Sequence, residues 1–212
     1  RSRRPGRSGV RLTGAAATVT TTPTRRLPTL ILPPGWVHLP VLDDNAPTAA
    51  RTLAPLAARG PRDSVTPYVR EAERSLVVTL DEARDAGSFA VALPLGLPAL
   101  VPVSTAIALR FLDPAEGTAA LPDAGEGVQT DAGAARRRIV DAAPVDADAD
   151  EVVLLRTIDY TWLHDGRYLL AFASISGLPG PDYRPITDAM TLLVTTMLDA
   201  LTWPTADGEV SS

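Results

Sequence analysis

The stretch PITDAMTLLVTTMLDALTW, residues 185–203, limits the possible folds more than any other part of the chain. Ile186, Ala189, Met190, Leu193, Val194, Met197, Leu198 and Leu201 alternate spacings of three and one. That spacing keeps them on one face of an α-helix. The opposite face is expected to carry Thr187, Asp188, Thr191, Thr195, Thr196, Asp199 and Thr202. Pro185 suits the first helical turn, where its missing N–H costs nothing, and Pro204 stops the helix just beyond Trp203. Threonine and valine are mediocre helix formers, so the helix must be held by packing its apolar stripe on another layer. The polar face has neither Lys nor Arg, which argues against a membrane-surface helix and for a core helix laid on a sheet. Trp203 is expected to lock its end against that sheet.

The sheet is legible just upstream. EVVLLRTIDYTWLHDGRYLLAFASIS, residues 151–176, places two β-rich runs around His164-Asp165-Gly166-Arg167. Asp-Gly is a hairpin signal because both residues tolerate positive φ. Residues 88–95 and 99–113 read as two further strands, with Val101, Val103, Thr105, Ile107, Leu109 and Phe111 on one side of the second. Pro102 puts the start of that strand at an edge. RLPTLILPPGWVHLPV, residues 26–41, reads as a short strand, a Pro-Pro-Gly turn and a second extended piece, with Trp36 anchoring the turn. A short helix, weakened by Pro55, fits 45–60. A better one fits 66–87, with Thr66 as N-cap, Pro67 at N1, an inner stripe of Val69, Ala72, Leu76, Leu80 and Ala83, and Gly87 as the C′ residue.

The remaining segments set the organisation. Residues 114–135 are rich in small residues and read as a flexible loop or hairpin tip, and 136–142 as a short strand. Residues 1–26 hold seven arginines and no apolar periodicity, and read as a disordered basic arm; 204–212 read as a disordered tail. Adjacent arginines near the start raise a twin-arginine export signal, but no continuous apolar run follows them. The expected domain is therefore 27–203. Its class is α+β, an antiparallel sheet sandwiched by helices and closed by the C-terminal amphipathic helix.

Composition narrows the chemistry. The net charge is −5 and all 20 basic residues are arginine, as a GC-rich genome encodes. An acidic body argues against general nucleic-acid affinity. With no cysteine, thiolate catalysis, disulfides and zinc-thiolate sites are excluded. No run is long enough to span a bilayer as a helix. The two histidines, His38 and His164, fall in a Pro-rich extended piece and at a hairpin tip, neither of which forms part of a catalytic set. Ser174 and Ser176 lack the G-x-S-x-G frame of a nucleophile elbow. Asp146, Asp148 and Asp150 match the first three ligands of a calcium loop. The match then fails at Glu151, where glycine is needed, and at Thr157, where the closing glutamate belongs. No metal, cofactor or catalytic residue is assigned. Arg136, Arg137 and Arg138 are expected to protect a sheet edge or to pair with the acidic string 146–151. Tyr160, Trp162, Tyr168 and Phe172 are expected to serve as core or cross-strand pairs.

The LPPGW turn, the mid-chain helix, the DYTWLHDGRYLLAFAS hairpin and the final helix ending in DALTW together resemble the Mog1/PsbP-like fold. LDEARDAGSFAVALPLG and PVSTAIALRFL, joined to that hairpin and helix, are similar to uncharacterised actinobacterial proteins loosely associated with type VII (WXG100) secretion loci. The resemblance covers residues 27–203 in order and texture. It implies a sheet between helices and a non-catalytic binding or assembly role, and carries no site residue with it. The expectation is therefore a non-enzymatic, cytoplasmic interaction or accessory factor with a protein partner and no nucleic acid. Export remains the alternative location if a signal lies upstream. The rival function is a small-molecule-binding or hydrolytic domain with a pocket between sheet and helix, on which Arg156, Asp159 and His164 would converge.

Overall fold

A computed structural model of the protein describes residues 27–58, 62–95, 103–115, 120–142, 152–178 and 180–204. The expected basic arm, the acidic string 146–151 and residues 205–212 lie outside the described residues. The elements run β1 (Trp36–Pro40), α1 (Ala46–Ala57), α2 (Arg62–Asp85), β2 (Ala90–Pro94), β3 (Val103–Leu112), β4 (Glu126–Thr130), β5 (Gly133–Asp141), β6 (Val153–His164), β7 (Arg167–Gly177), a short 3-10 turn and α3 (Arg184–Asp199). All seven strands join one sheet in the order β1-β2-β3-β7-β6-β5-β4, and every neighbouring pair is antiparallel. The class is α+β, as the sequence indicated, with α1 and α2 on one face and α3 on the other.

The strand alternation sorts residues onto the two faces. Val103, Thr105, Ile107 and Leu109 of β3 are buried, and so are Leu169, Ala171, Ala173 and Ile175 of β7. With Ile158, Tyr160 and Trp162 of β6 they form the floor on which Met190, Val194, Met197, Leu198 and Leu201 pack. A second cluster, Leu39, Ala49, Leu53, Leu76, Leu80 and Val91, joins α1 and α2 to β1 and β2 on the reverse face. Ala90 and Ala92 serve the first cluster and Val91 the second, as a strand buried on both sides requires. β3 pairs with β2 over Ile107–Leu109 only, so its first four residues bond to β7 alone among the described residues.

Local signals explain the element ends. Asp165 and Gly166 both have positive φ, 50° and 74°, in the β6–β7 turn, the two-residue hairpin geometry. α2 ends at Gly87, where φ is 77°. The Ser88 and Gly87 amides donate to the carbonyls of Ala83 and Arg84 at 2.8 Å each, the Schellman arrangement. α2 begins four residues earlier than Thr66, so Pro67 lies inside the helix rather than at its first turn. Asn45 precedes α1 but does not cap it with its side chain. Instead its Oδ1 accepts the Leu42 amide and its Nδ2 donates to Asp81, both at 2.9 Å. That buried amide fixes the start of α1 to α2. The initial extended piece is reduced to one bridge, Thr29 to Thr202, and β1 is an edge strand with Trp36 buried.

Two further expectations change. Residues 126–135 are not loop: they form β4, a tight turn and the start of β5. Gly125 makes this possible, since its φ is 93° and a Cβ there would stand 2.7 Å from the Arg137 carbonyl oxygen. The polar face of α3 is also narrower than its sequence suggests. Thr187 and Thr195 are buried, and Ala189 is exposed. The two threonines satisfy their hydroxyls by donating to backbone carbonyls of the preceding turn, Tyr183 at 3.0 Å and Leu192 at 3.0 Å, so burial leaves no unpaired donor there.

Candidate functional site

The face under α3 is closed by polar contacts as well as apolar ones. A β-bulge between Leu154 and Arg156 shifts the β6 register and turns Arg156 towards α3. Its Nε donates to Asp141 at 2.6 Å, and one terminal nitrogen reaches Asp188 and Thr191 at 2.8 Å each. Burial works against its charge, and these partners more than offset that, so its pKa is raised. At the other end of α3, Tyr160 donates its hydroxyl to Asp199 at 2.9 Å. Burial pushes its phenol well above the ordinary tyrosine range, against the opposing pull of Arg137. Trp162 donates to the Thr130 hydroxyl at 2.9 Å, the Thr130 hydroxyl to the Gly133 carbonyl at 2.7 Å, and the Asp131 amide to the Asp199 carbonyl at 2.8 Å. Trp203 closes the end, donating to the Ala132 carbonyl at 3.1 Å and stacking on His164 at 3.8 Å.

These contacts separate the residues proposed for a hydrolytic pocket. Arg156 and His164 point to the α3 face, one into ion pairs and the other onto Trp203. Asp159 has the opposite parity on β6 and pairs with Arg138 at 2.9 Å. The three do not converge. His38 is exposed on the edge strand β1, opposite Ala92. Ser174 and Ser176 lie half-buried on β7, opposite Ala106 and Ser104. Among the described residues no three His, Asp or Glu side chains group as a metal site needs, and no helix is long and apolar enough to cross a membrane.

Among the described residues, the other face is covered only over β1, β2 and the adjoining part of β3. Beyond that cover, the registers place two rungs side by side across four strands. One reads Arg136, Thr161, Leu170, Arg110 and the other Arg138, Asp159, Phe172, Ala108. Ala86 and Ser88, at the turn out of α2, wall one side, and Pro122 and Ala124 of the segment before β4 wall another. The Tyr168 hydroxyl holds that segment by donating to the Ala120 carbonyl at 2.6 Å. The result is a cavity of about 460 Å³ over Leu170 and Phe172, within the range of small-ligand sites. Phe172 is 48% exposed at the centre of the sheet.

The arginine triplet divides between the two faces, because alternation sends neighbours to opposite sides. Arg137 turns to the α3 side, where it meets Glu126 at 2.8 Å and the Tyr160 hydroxyl at 3.5 Å. Those bonds hold its pKa above the usual arginine value. Arg136 and Arg138 turn to the open face. β4 lies outside β5 and pairs with it from Gly133 to Arg137, so Arg136 and Arg137 are interior to the sheet, and Arg138 stands where the described pairing on that side ends. The aromatics divide likewise: Tyr160 and Trp162 stack in the core at 5.1 Å, whereas Tyr168 and Phe172 face the open side. Alternation in the sequence shows that Phe172 opposes Ala171 and Ala173, but not that its side lacks a covering helix. Comparison with models of protein families, with curated proteins and with solved structures finds no match for this chain.

Proposed function

We propose that the protein is a non-catalytic interaction or accessory factor whose working surface is the open sheet face. One observation carries this reading: a sheet sealed by a helix on one face leaves Phe172 48% exposed at the middle of the other, and an apolar patch framed by polar residues marks a binding surface. The cavity chemistry supports binding over turnover. Among the described residues its lining has no histidine, and Asp159, the one carboxylate among them, is engaged by Arg138. A general base needs a free carboxylate or imidazole within reach of its proton. The resemblance adds the setting, an accessory or assembly role beside type VII secretion in an actinobacterium, acting in the cytoplasm on a protein partner.

The test is affinity capture from extracts of the native host with the wild type, Phe172→Glu and Leu192→Glu. Leu192 is 68% exposed on α3, so its variant controls for a charge added elsewhere. The expected result is a set of proteins retained by the wild type and by Leu192→Glu and lost by Phe172→Glu. Retention of the same set by Phe172→Glu would remove the open face from the reading.

A further inference from the structure

Of the four charged side chains on the two open rungs, Arg138 and Asp159 neutralise each other at 2.9 Å. The other two have no carboxylate partner among the described residues. Arg110 donates to the Ala86 carbonyl at 3.3 Å, a contact that leaves its charge uncompensated. Arg136 lies across Gly127, where a Cβ would come within 3.3 Å of its terminal nitrogen. Both stand on one rung, at either end of Thr161 and Leu170. Their backbones are three strand spacings apart, about 14 Å, and both residues line the cavity, Arg110 from the β3 side and Arg136 from the β5 side.

A recessed floor of Leu170 and Phe172 under two uncompensated guanidinium groups selects for both apolar area and negative charge. We infer that this cavity is a binding site for a small amphipathic anion: a flat or short-chain apolar body carrying a carboxylate or phosphate. The body lies on Leu170 and Phe172, and the anionic group meets Arg136 and Arg110, whose planar forks suit carboxylate and phosphate oxygens. The Thr161 hydroxyl stands between them as a neutral donor. Neutral apolar molecules leave the two arginines unanswered, and cations are repelled by them. The site rests on the same open face as the proposed function, but the two can fail separately.

Calorimetric titration of the full chain with 1-naphthoate, 1-naphthalenemethanol and 1-naphthylmethylammonium separates charge from shape. The expected order is carboxylate, then alcohol, then ammonium, with the carboxylate affinity falling as sodium chloride is added. Arg136→Gln and Arg110→Gln should each weaken naphthoate by about tenfold, as loss of one charge-assisted contact does. Phe172→Ala should weaken all three probes together. Thermal melts of the variants confirm that they are folded. Equal binding of alcohol and carboxylate, or unchanged naphthoate affinity in both arginine variants, would overturn the inference. Naphthoate bound through the arginines while Phe172→Glu still captures the wild-type protein set would sustain the anion site and remove the docking reading. No naphthoate binding alongside a lost protein set would do the reverse.

Discussion

Arg156 shows how much a single residue decides here. Its side chain is 11% exposed while its partners Asp141 and Asp188 are 64% and 56% exposed, so the ion pairs are bridges from a buried cation to the surface. Solvent screens such pairs, and their Coulomb energy alone is small. More stability comes from the packed methylene stem, and from keeping apart the two carboxylates that would face each other if the cation went. Arg156→Ala should therefore cost about 2–3 kcal/mol in urea unfolding, and Arg156→Met clearly less because it keeps the stem. Equal losses would place the stability in the charge instead. Tyr160 gives a pH signature. Burial, the largest cause, raises its folded pKa above the value near 10 expected unfolded. Above that pH the unfolded chain gives up the proton and the folded one keeps it, so stability is present below pH 10 and declines as pH rises beyond it. In alkaline melts Tyr160→Phe should flatten that decline, at a cost of about 1 kcal/mol at neutral pH for the lost bond to Asp199. A slope unchanged by the substitution would contradict the assignment.

At the scale of elements, α3 revises its own sequence pattern. Met197 is buried and Leu193 only partly so. Met197→Ala should cost about 2–5 kcal/mol and Leu193→Ala less. Thr195→Ala is not a neutral change, since Thr195 is buried with its hydroxyl bonded to Leu192. It should cost about 1 kcal/mol, the lost bond and methyl burial outweighing the better propensity of alanine. Denaturant titration of the three variants fixes the orientation of the helix, and the ranking Met197 over Leu193 and Thr195 is the required outcome. What could be read in advance follows from local chemistry: Asp165-Gly166 demanded a hairpin, Gly87 a helix end, and alternating residues the inner face of β3. What could not be read depends on distant partners. The sequence EGVQT of β4 has a glycine and little exposed-to-buried alternation, so nothing local marks it as a strand. It is held because its turn bonds to Trp162, Asp199 and Trp203 from elsewhere in the chain. The candidate site was hidden for a similar reason. Arg110, Arg136 and Leu170 belong to three separate strands, and only the order β3-β7-β6-β5 lines them up.

The whole molecule is a sheet with unequal faces, and that asymmetry is testable within one strand. A period of two assigns Leu169 and Phe172 to opposite sides of β7, but it says nothing about which side a helix will cover. The fold answers that. Among the described residues three α-helices serve a seven-stranded sheet, and α1 and α2 are used up on β1, β2 and the nearer part of β3. α3 closes the reverse face across β3, β7 and β6, so the matching area on the first face stays open. Leu169 has no exposed surface, whereas Phe172 is 48% exposed. Leu169→Ser replaces core contacts with a buried hydroxyl and should cost about 3 kcal/mol or more, from lost burial, a residual cavity and an unpaired polar group. Phe172→Ser moves an already wetted ring off an open surface and should shift stability by less than about 1 kcal/mol. Thermal melts of the two variants, purified side by side, measure the contrast. If Phe172→Ser lost as much as Leu169→Ser, the ring would be acting as core. A layer would then have to cover it in solution, and the cavity above Leu170 would be occupied by the protein's own chain rather than available to a ligand.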